Sequence, residues 1–322
     1  MEHGARIYVA GHTGLAGCAI LRALERAGYS NLLLRRHAEL ELADARAVAA
    51  FFQRERPEYV FLAAAKVGGI FANESYPADF IRENLAVQLN VIHEAWRAGT
   101  KRLLFLGSSC IYPRDCPQPI KEEYFLTGPL EPTNRAYALA KIAGVEMCWS
   151  YNRQHGTRFL AAMPTNLYGP GDGYDPSNSH VLPALIRKIH EAKQRGDRNV
   201  TLWGSGRPRR EFLLSEDMAK ACVFLMRLPN PVFDRLVARH QPPLINIGAG
   251  EDQTIAELAA LVADVLSCRC EFVYDASKPD GTPRKLLDSA RILALGWKPA
   301  TTLRQGVALA YQDFLRRHVA AA

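Results

Sequence analysis

Short apolar runs alternate with longer amphipathic runs through the first half of the chain. Most of the short runs are continuously hydrophobic, which is typical of strands that are buried on both faces of a sheet. They predict strands at residues 6–10, 32–35, 59–64, 102–106, 158–163 and 244–247, with helices at 14–27, 45–54, 77–97 and 135–155. This alternation predicts an α/β fold with a doubly wound parallel sheet and right-handed crossovers.

The pattern changes after residue 168, where the turn-rich segment "GPGDGYDPSNSH" begins. Further helices are predicted at 181–194, 216–228, 255–266 and the C-terminus, and further strands at 200–203 and 271–274. We expect a nucleotide-binding domain formed by residues 1–167 and about 209–249, and a smaller, sequence-discontinuous substrate-binding lobe formed by about 168–208 and 250–322. The crevice between them, at the carboxyl ends of the strands, is the expected ligand site.

Composition excludes several classes of protein. Hydrophobic residues make up 48% and charged residues 23% of the chain, as in ordinary globular domains. No apolar run reaches the roughly 18 residues of a membrane span, and the N-terminus shows no signal-peptide pattern, so we predict a cytoplasmic protein without membrane contact. The seven cysteines contain no CxxC pair and have no His cluster nearby, which predicts reduced thiols and no metal site.

The net charge of +7 arises from Lys and Arg residues that are spread along the chain. No basic tract with interleaved aromatic residues is present in the sequence, so nucleic acid is not an expected partner. An anionic small molecule agrees better with this distribution, because isolated basic residues recur within the motifs described below.

The segment "VAGHTGLAG" follows the first predicted strand and opens the first predicted helix. It places Gly11, Gly14 and Gly17 in a GxxGxxG spacing. Glycines at this position let the backbone approach a pyrophosphate at the helix N-terminus. We therefore predict a Rossmann-type dinucleotide site, with Thr13 and Leu15 of the same loop among its contacts.

The second predicted strand ends in "LLLRRH", where NAD-binding folds usually carry an acidic residue for the ribose. Arg35 and Arg36 stand there instead, and guanidinium groups pair with the 2′-phosphate that distinguishes NADPH from NADH. We predict NADPH/NADP⁺ as the cofactor. Asp44 starts the next helix, either as a plain N-cap or as a contact to the adenine.

Tyr137 and Lys141, in "YALAK", are four residues apart and meet on one face of a predicted helix. A nearby ammonium stabilises tyrosinate, so Lys141 is expected to lower the pKa of Tyr137 and prepare it for proton transfer. Ser108 stands at the end of the fourth predicted strand. If this strand continues, Ser108 and Cys110 lie on one side of it and Ser109 points away.

The glycine loop, the strand-end serine and the YxxxK pair occur in an order that resembles the extended short-chain dehydrogenase/reductase family. Within this family, the chain is similar to the enzymes that epimerise C3 and C5 of GDP-4-keto-6-deoxy-D-mannose and reduce its 4-ketone to give GDP-L-fucose. The segments that carry the resemblance extend over nearly the whole chain. They are "AAAKVGGI" (63–70), "YPADFI" (76–81), "LGSSCIYP" (106–113), "LEPTN" (130–134), "YALAKIAG" (137–144), "MPTNLYGP" (163–170), "PSNSHVLPALIRK" (176–188), "LWGSG" (202–206), "REFL" (210–213) and "DASKPDGTPRKLLD" (275–288).

The resemblance implies a role for each catalytic candidate. Cys110 is expected to be the base and His180 the acid of the epimerisation, and Tyr137 the proton donor of the reduction. Lys141 is expected to tune Tyr137 and bind the ribose, and Ser108 to donate a hydrogen bond to the C4 oxygen. A histidine with its ordinary pKa near 6.5 suits proton exchange at neutral pH. A free thiol is mostly protonated there, so Cys110 needs assistance to act as a base.

The resemblance also implies contacts to the cofactor and the substrate. Lys188, Arg210 and Lys285 are expected to face the GDP diphosphate, and Trp203 is expected beside the nucleotide–sugar. The remaining implied contacts are Ala64, Lys141, Pro164, Asn166, Leu167 and His180 for the cofactor, and Ser108, Ser109 and Cys110 for the substrate.

The glycine loop and the second strand end depart from the family pattern. Family members often carry an arginine where Thr13 stands and another near His37, and both would help to hold a 2′-phosphate. Arg35 and Arg36 are therefore expected to take over that function.

The expected partners are a GDP-sugar substrate and a second copy of the chain, in a homodimer formed through the helices near 77–97 and 135–155. Two alternatives stay open. A sister enzyme acting on a 3,6-dideoxy keto sugar to give GDP-L-colitose would need the same acid–base pair. A catalytically silent NADP-binding sensor or scaffold would have no need to keep all five catalytic candidates.

Overall fold

Helices and strands follow one another in the alternation that the hydrophobic pattern predicts. The computed structural model describes residues 1–175, 179–278 and 280–319, so the first three residues of the motif "PSNSHVLPALIRK", Pro279 and residues 320–322 lie outside the described residues. The strands are β1 Ile7–Ala10, β2 Leu32–Leu33, β3 Tyr59–Leu62, β4 Arg102–Leu106, β5 Phe159–Pro164, β6 Asn166–Tyr168, β7 Asn199–Trp203, β8 Arg209–Leu214, β9 Leu244–Ile247, β10 Asp252–Thr254, β11 Glu271–Asp275 and β12 Arg284–Lys285. The helices are α1 Leu15–Arg26, α2 Ala45–Glu55, α3 Ile70–Ser75, α4 Pro77–Arg97, α5 Arg135–His155, α6 Val181–Arg195, α7 Ser215–Arg227, α8 Asn230–Leu236, α9 Ile255–Val265, α10 Ala290–Ala294 and α11 Leu303–His318.

The central sheet is parallel throughout and has the strand order β2-β1-β3-β4-β5-β9. This order confirms the predicted doubly wound α/β fold. The chain leaves β1 toward β2 on one side and returns to β3 on the other side, so the strand order reverses between β1 and β3. A crevice opens outside the carboxyl ends of the strands at such a switch point. The glycine loop directly follows β1 and therefore begins at this crevice.

Both faces of the central sheet are buried, each in its own hydrophobic cluster. Successive residues of β1 alternate between them: Ile7 and Val9 pack with α1 and α7, whereas Tyr8 and Ala10 pack with α2, α4 and α5. A strand that is covered on both faces needs an apolar residue at every position. This requirement explains the continuous hydrophobic runs from which the strands were predicted.

Predicted and observed boundaries agree for two long helices and for two short buried strands. Helices α4 and α5 and strands β4 and β9 have the predicted bounds, whereas β2 is only two residues long. The sequence analysis missed β8, the short strands β6, β10 and β12, and the short helices α3, α8 and α10, because so few residues show no period. Among the described residues, no helix combines the length and the apolar character that crossing a membrane requires.

A second sheet is centred on β8, which pairs with β6, β10 and β12, while β7 and β11 form a separate parallel pair. These strands and helices α6, α9 and α11 enclose a third hydrophobic cluster. Phe212 and Leu214 of β8 pack in this cluster, whereas Leu213 packs in the cluster of α1 and α7. The division of the chain into two lobes stays a prediction, and β8 contributes to the core on both sides of it.

Candidate active site

The glycine loop brings β1, β3 and α1 into close contact. Gly11 has a φ of +85°, and a Cβ built on it would lie 2.7 Å from the backbone N and Cα of Ala64. A Cβ on Gly17 would overlap the carbonyl oxygen of Gly11. Helix α1 can therefore begin directly against the loop only because residue 17 is a glycine, which has no Cβ. Gly14 is the N-cap of α1 and lines the cleft together with Leu15 and Gly17. The first N–H groups of a helix lack intrahelical partners, so this loop suits a pyrophosphate.

The two arginines after β2 have different surroundings. Arg35 forms an ion pair with Glu55 at 2.8 Å and lies 5.5 Å from the ring centroid of Phe51. Arg36 is exposed and lies near His12 of the glycine loop. Burial lowers the pKa of His12, and the positive charge of Arg36 lowers it further. The Nδ1 atom of His12 is buried and has no hydrogen-bond partner within the described part of the chain. Arg36 and the loop therefore offer a cation and an unpaired polar atom, which fit the phosphates of NADPH.

Asp44 is the N-cap of α2, where its carboxylate accepts hydrogen bonds from the backbone N–H groups of Arg46 and Ala47. This is the plain capping role that the sequence left as one alternative. A contact between Asp44 and the adenine stays a prediction.

A cleft of about 490 Å³ extends from the glycine loop to the second sheet. It brings together most of the predicted site residues, which come from both halves of the chain. Those that line it are Gly14, Leu15, Gly17, Ser108, Cys110, Tyr137, Lys141, Pro164, Asn166, Leu167, His180, Lys188, Trp203 and Arg210. The predicted residues that lie outside its lining are Gly11, Thr13, Arg35, Arg36, Asp44, Ala64, Ser109 and Lys285.

A tight turn after β4 presents Ser108 and Cys110 to the cleft. The strand ends at Leu106, and a short 3₁₀ turn follows at Ser109–Ile111. Ser108 caps this turn, because its Oγ accepts a hydrogen bond from the Cys110 N–H at 3.2 Å. Both side chains line the cleft and Ser109 is buried outside its lining, as expected from its direction. The predicted reason was wrong, however, since the turn and not strand alternation sets their directions. The place of Ser109 does not agree with the substrate contact that the resemblance implied for it.

Burial controls the protonation of the YxxxK pair on α5. Lys141 is 3% exposed, its Nζ donates to the Leu106 carbonyl oxygen at 2.8 Å, and burial lowers its pKa to about 7. Burial raises the pKa of Tyr137, the charge of Cys110 raises it further, and a hydrogen bond with Ser108 opposes this rise. The pKa of Tyr137 is therefore raised and not lowered as expected, because burial outweighs the other influences on it. Lys141 is partly neutral at pH 7, and its Nζ lies 5.8 Å from the tyrosine ring centroid.

The predicted acid–base pair comes from two separate segments. Cys110 receives a hydrogen bond from the Asn134 amide at 3.2 Å, and the Nζ of Lys285 lies 3.6 Å from its Sγ. Lys285 therefore lies beside the thiol, whereas the resemblance implied a place at the diphosphate. His180 is the N-cap of α6 and lines the same cleft, where desolvation by the surrounding protein lowers its pKa.

The far end of the cleft offers an aromatic surface and several cations. The Trp203 ring is 51% exposed, and the Nζ atoms of Lys188 and Lys278 lie 4.9 Å and 5.5 Å from its centroid. Burial lowers the pKa of Lys188, and it also lowers that of Arg210, whose guanidinium donates to the Asp280 carbonyl oxygen. An aromatic wall flanked by cations suits a nucleotide diphosphate.

The sequence analysis missed Lys278 and Asn134 as site residues. Both lie within segments that carried the resemblance, "DASKPDGTPRKLLD" and "LEPTN", so their presence there was the available signal. Neither segment has a residue spacing that points to a function. The functional importance of Lys278 follows only from its contact with Trp203, and that of Asn134 only from its contact with Cys110.

The fold and the cleft agree with a known family of enzymes. A sequence profile of the NAD dependent epimerase/dehydratase family matches residues 7–247, which is well over half of the chain. The chain therefore belongs to the NAD dependent epimerase/dehydratase family.

Within this family, the chain is similar over nearly its whole length to GDP-L-fucose synthases. GDP-L-fucose synthase 1 from Arabidopsis thaliana is 53% identical over 315 residues, which cover 98% of this chain and 94% of that protein. The GDP-L-fucose synthase from Escherichia coli is 53% identical over 312 residues, or 96% of each chain. The solved structure of MlghC, a GDP-mannoheptose C4 reductase from Campylobacter jejuni with NADP bound, has a TM-score of 0.88 and 40% identity, covering 98% of this chain and 99% of that one. These comparisons confirm the predicted resemblance.

Proposed function

We propose that this chain catalyses the NADPH-dependent 3,5-epimerisation and 4-keto reduction of GDP-4-keto-6-deoxy-D-mannose to give GDP-L-fucose. The observation that carries the proposal is that one cleft is lined by two sets of chemical groups. Ser108, Tyr137 and Lys141 are the set that a carbonyl reduction needs, and Cys110 and His180 are the set that an epimerisation needs. A plain reductase would have no use for the second set.

The chain offers a built site for the cofactor. The glycine loop and the first turn of α1 would hold the pyrophosphate, and Arg36 would pair with the 2′-phosphate. Lys141 would contact the nicotinamide ribose, while Pro164, Asn166 and Leu167 would form the wall behind the ring. When bound, NADPH supplies the hydride that reduces C4 of the sugar.

Epimerisation requires a base on one face of the sugar and an acid on the other. The 4-ketone acidifies the hydrogens at C3 and C5. The Cys110 thiolate removes one of these protons, and the electron pair of the broken C–H bond moves into an enolate whose charge rests on the C4 oxygen. Hydroxyl donors such as that of Ser108 stabilise this oxyanion. His180, after it takes up a proton from water, gives this proton to the same carbon from the opposite face.

Reduction requires a proton for the C4 oxygen. Because burial raises the pKa of Tyr137, its phenol is protonated at neutral pH and can donate that proton. Interaction with Ser108 opposes the rise in the pKa of Tyr137, and a serine hydroxyl beside the phenol fits this role. At the other end of the substrate, Lys188 and Arg210 would neutralise the diphosphate, and the Trp203 ring would support the nucleotide.

We further propose that the chain forms a homodimer through α4 and α5. These helices pack side by side, and they present the exposed leucines Leu85, Leu89 and Leu139, which are 36%, 54% and 39% exposed. A second copy of the same pair of helices would bury these side chains in a four-helix contact.

The function is tested with purified protein, NADPH and GDP-4-keto-6-deoxy-D-mannose. We expect loss of NADPH absorbance and a product that NMR identifies as GDP-L-fucose. In deuterated water, Cys110→Ser should stop deuterium exchange at C3 while leaving some reduction of the unepimerised ketone, and Cys268→Ser should behave like the wild type.

Three results would contradict the proposal. Turnover of only the 3,6-dideoxy keto sugar would indicate a GDP-L-colitose synthase. Binding of NADPH without turnover of either sugar would indicate a silent sensor or scaffold. Exchange at C3 that survives Cys110→Ser would remove Cys110 from the epimerisation.

A further inference from the structure

Two hydrogen-bond donors converge on the sulfur of Cys110. The Asn134 amide donates to Sγ at 3.2 Å, and the ammonium of Lys285 lies 3.6 Å from it. Asn134 directly precedes α5, whereas Lys285 lies in β12, 175 residues beyond Cys110 along the chain. We propose that Lys285 and Asn134 are the positioning residues that hold Cys110 as a thiolate. This role rests on the proposed function of Cys110 as the base of the epimerisation.

The hydrogen-bonding groups of Lys285 and Asn134 require the Cys110 sulfur to act as the acceptor. A lysine ammonium has three donors and no acceptor, so it cannot receive a hydrogen bond from a thiol. The Oδ1 atom of Asn134 is buried without a partner among the described residues, while its amide nitrogen faces the sulfur. A sulfur that accepts from an ammonium and an amide is stabilised in its anionic form.

Glu131 fixes the two donors relative to each other. It is 7% exposed and lies three residues before Asn134 in the "LEPTN" segment. Its carboxylate accepts hydrogen bonds from the Thr133 N–H at 3.4 Å and from the Thr282 hydroxyl at 3.2 Å. Because Thr282 leads into β12, Glu131 joins the segment that carries Asn134 to the segment that carries Lys285. This contact gives the "LEPTN" motif a physical function.

The other titratable groups around Cys110 act in both directions. The cation of Arg210 favours a thiolate, whereas the acidic side chains of Glu131 and Asp280, which line the same cleft, oppose it. Tyr137 interacts with Cys110 as well, but it is protonated and uncharged at neutral pH. His180 lines the same cleft and has a lowered pKa, so it is mostly neutral in the free protein.

The thiolate supplies what the proposed proton transfer requires. It accepts a proton from C3 or C5 of the sugar, so an S–H bond forms as the C–H bond breaks and the electron pair passes to the enolate. The resulting thiol must lose this proton to water before Cys110 can act at the second carbon. Lys285 and Asn134 make the regained thiolate the favoured state, and they do not exchange a proton with the sugar themselves.

The proposal is tested by alkylation of the free protein with iodoacetamide at several pH values. The tryptic peptide 103–114 contains Cys110 as its single cysteine, so mass spectrometry follows this thiol separately from the other six. The variants are Lys285→Met, Lys285→Arg and Asn134→Ala. Lys298→Met is the matched control, since Lys298 is exposed and lies outside the cleft lining.

At neutral pH, Lys285→Met is expected to be alkylated at Cys110 about tenfold more slowly than the wild type. The difference should vanish near pH 10, where any exposed thiol is ionised. Lys285→Arg keeps the positive charge and should stay within about threefold of the wild type. Asn134→Ala is expected to show the same pH-dependent loss in a smaller amount, and it is the variant to interpret if Lys285→Met does not fold.

Equal rates at neutral pH for Lys285→Met and the wild type would overturn the proposal. A loss that persists near pH 10 would also overturn it, because altered access and not ionisation would then be the cause. Alkylation requires neither sugar nor NADPH. A failure of the proposed epimerase-reductase activity would therefore appear in the turnover assay and leave the alkylation result unchanged.

Discussion

At the scale of single residues, burial decides which groups carry charge in the cleft. Lys141 has its amino group inside the protein against the Leu106 carbonyl, which lowers its pKa to about 7. The same burial raises the pKa of Tyr137. The free protein therefore holds a protonated phenol next to a partly neutral amine, and a spacing of four residues on a helix cannot reveal this.

Replacing Lys141 by Met should change how stability depends on pH. Between the folded pKa of about 7 and the ordinary value of 10.5, the unfolded chain binds more protons at Lys141 than the folded chain does. The free energy of unfolding therefore rises with pH in this window, and several kcal/mol of stability are lost as the pH falls through it. Urea unfolding of the cofactor-free proteins should show a weaker rise for Lys141→Met. Parallel pH curves for the two proteins would contradict this prediction.

The arginine pair after β2 allows a matched test of cofactor choice. Arg36 lies near the glycine loop, whereas Arg35 is paired with Glu55. Arg36→Ser should raise the KM for NADPH at least about tenfold, the value of one charged hydrogen bond, and leave the KM for NADH nearly unchanged. Arg35→Ser should change both values little. Steady-state kinetics with both cofactors checks this, and equal effects of the two substitutions would show that Arg36 does not hold the 2′-phosphate.

At the scale of elements, the turn after β1 and the turn after β4 both line the cleft at the carboxyl ends of the central strands. The first could be predicted from the sequence, because the glycine spacing reports directly on the close approach of Gly17 to Gly11. The second could be predicted only in part. The motif "LGSSCIYP" identified Ser108 and Cys110, but the strand ends at Leu106 and the 3₁₀ turn was not recognisable from three residues.

Two alanine substitutions in the glycine loop should differ in their effect on the free energy of unfolding. Gly17→Ala places a Cβ on the carbonyl of Gly11 and should lower the free energy of unfolding by roughly 1–3 kcal/mol, as other overpacked sites do. Gly14→Ala is the control, since its Cβ would meet only the Gly11 carbonyl oxygen at an ordinary 3.6 Å. Urea unfolding without cofactor checks the pair. Equal stability of the two variants would mean that α1 can shift away from the loop at no cost.

At the scale of the whole molecule, two long segments of chain must meet before the cleft exists. Ser108 and Cys110 follow β4 of the central sheet and Tyr137 and Lys141 lie on α5, whereas His180 precedes α6 and Trp203 ends β7. Strand β8 joins the two parts, since its successive side chains pack on both sides. The domain boundary expected near residue 209 therefore falls at the start of a strand that belongs to both cores.

The proposed homodimer makes a prediction at this same scale. Leu89→Asp places a charge among the exposed leucines of α4 and α5 and should convert the dimer to a monomer in analytical ultracentrifugation. Leu293→Asp is the matched control, because Leu293 is 50% exposed but lies on α10. A monomeric wild type, or a Leu89→Asp variant that stays dimeric, would refute the proposed interface.

The doubly wound sheet, the glycine loop and the identity of the catalytic candidates could all be predicted from the amino-acid sequence alone. These features are recorded in local patterns: continuous apolar strands, a fixed glycine spacing, and motifs that follow in a known order. The tertiary structure decided which of Arg35 and Arg36 adjoins the glycine loop, how burial sets the pKa of Lys141, and that Lys285 lies against Cys110. Such properties depend on residues far apart in the chain and on exclusion of water, and neither is recorded in a local pattern.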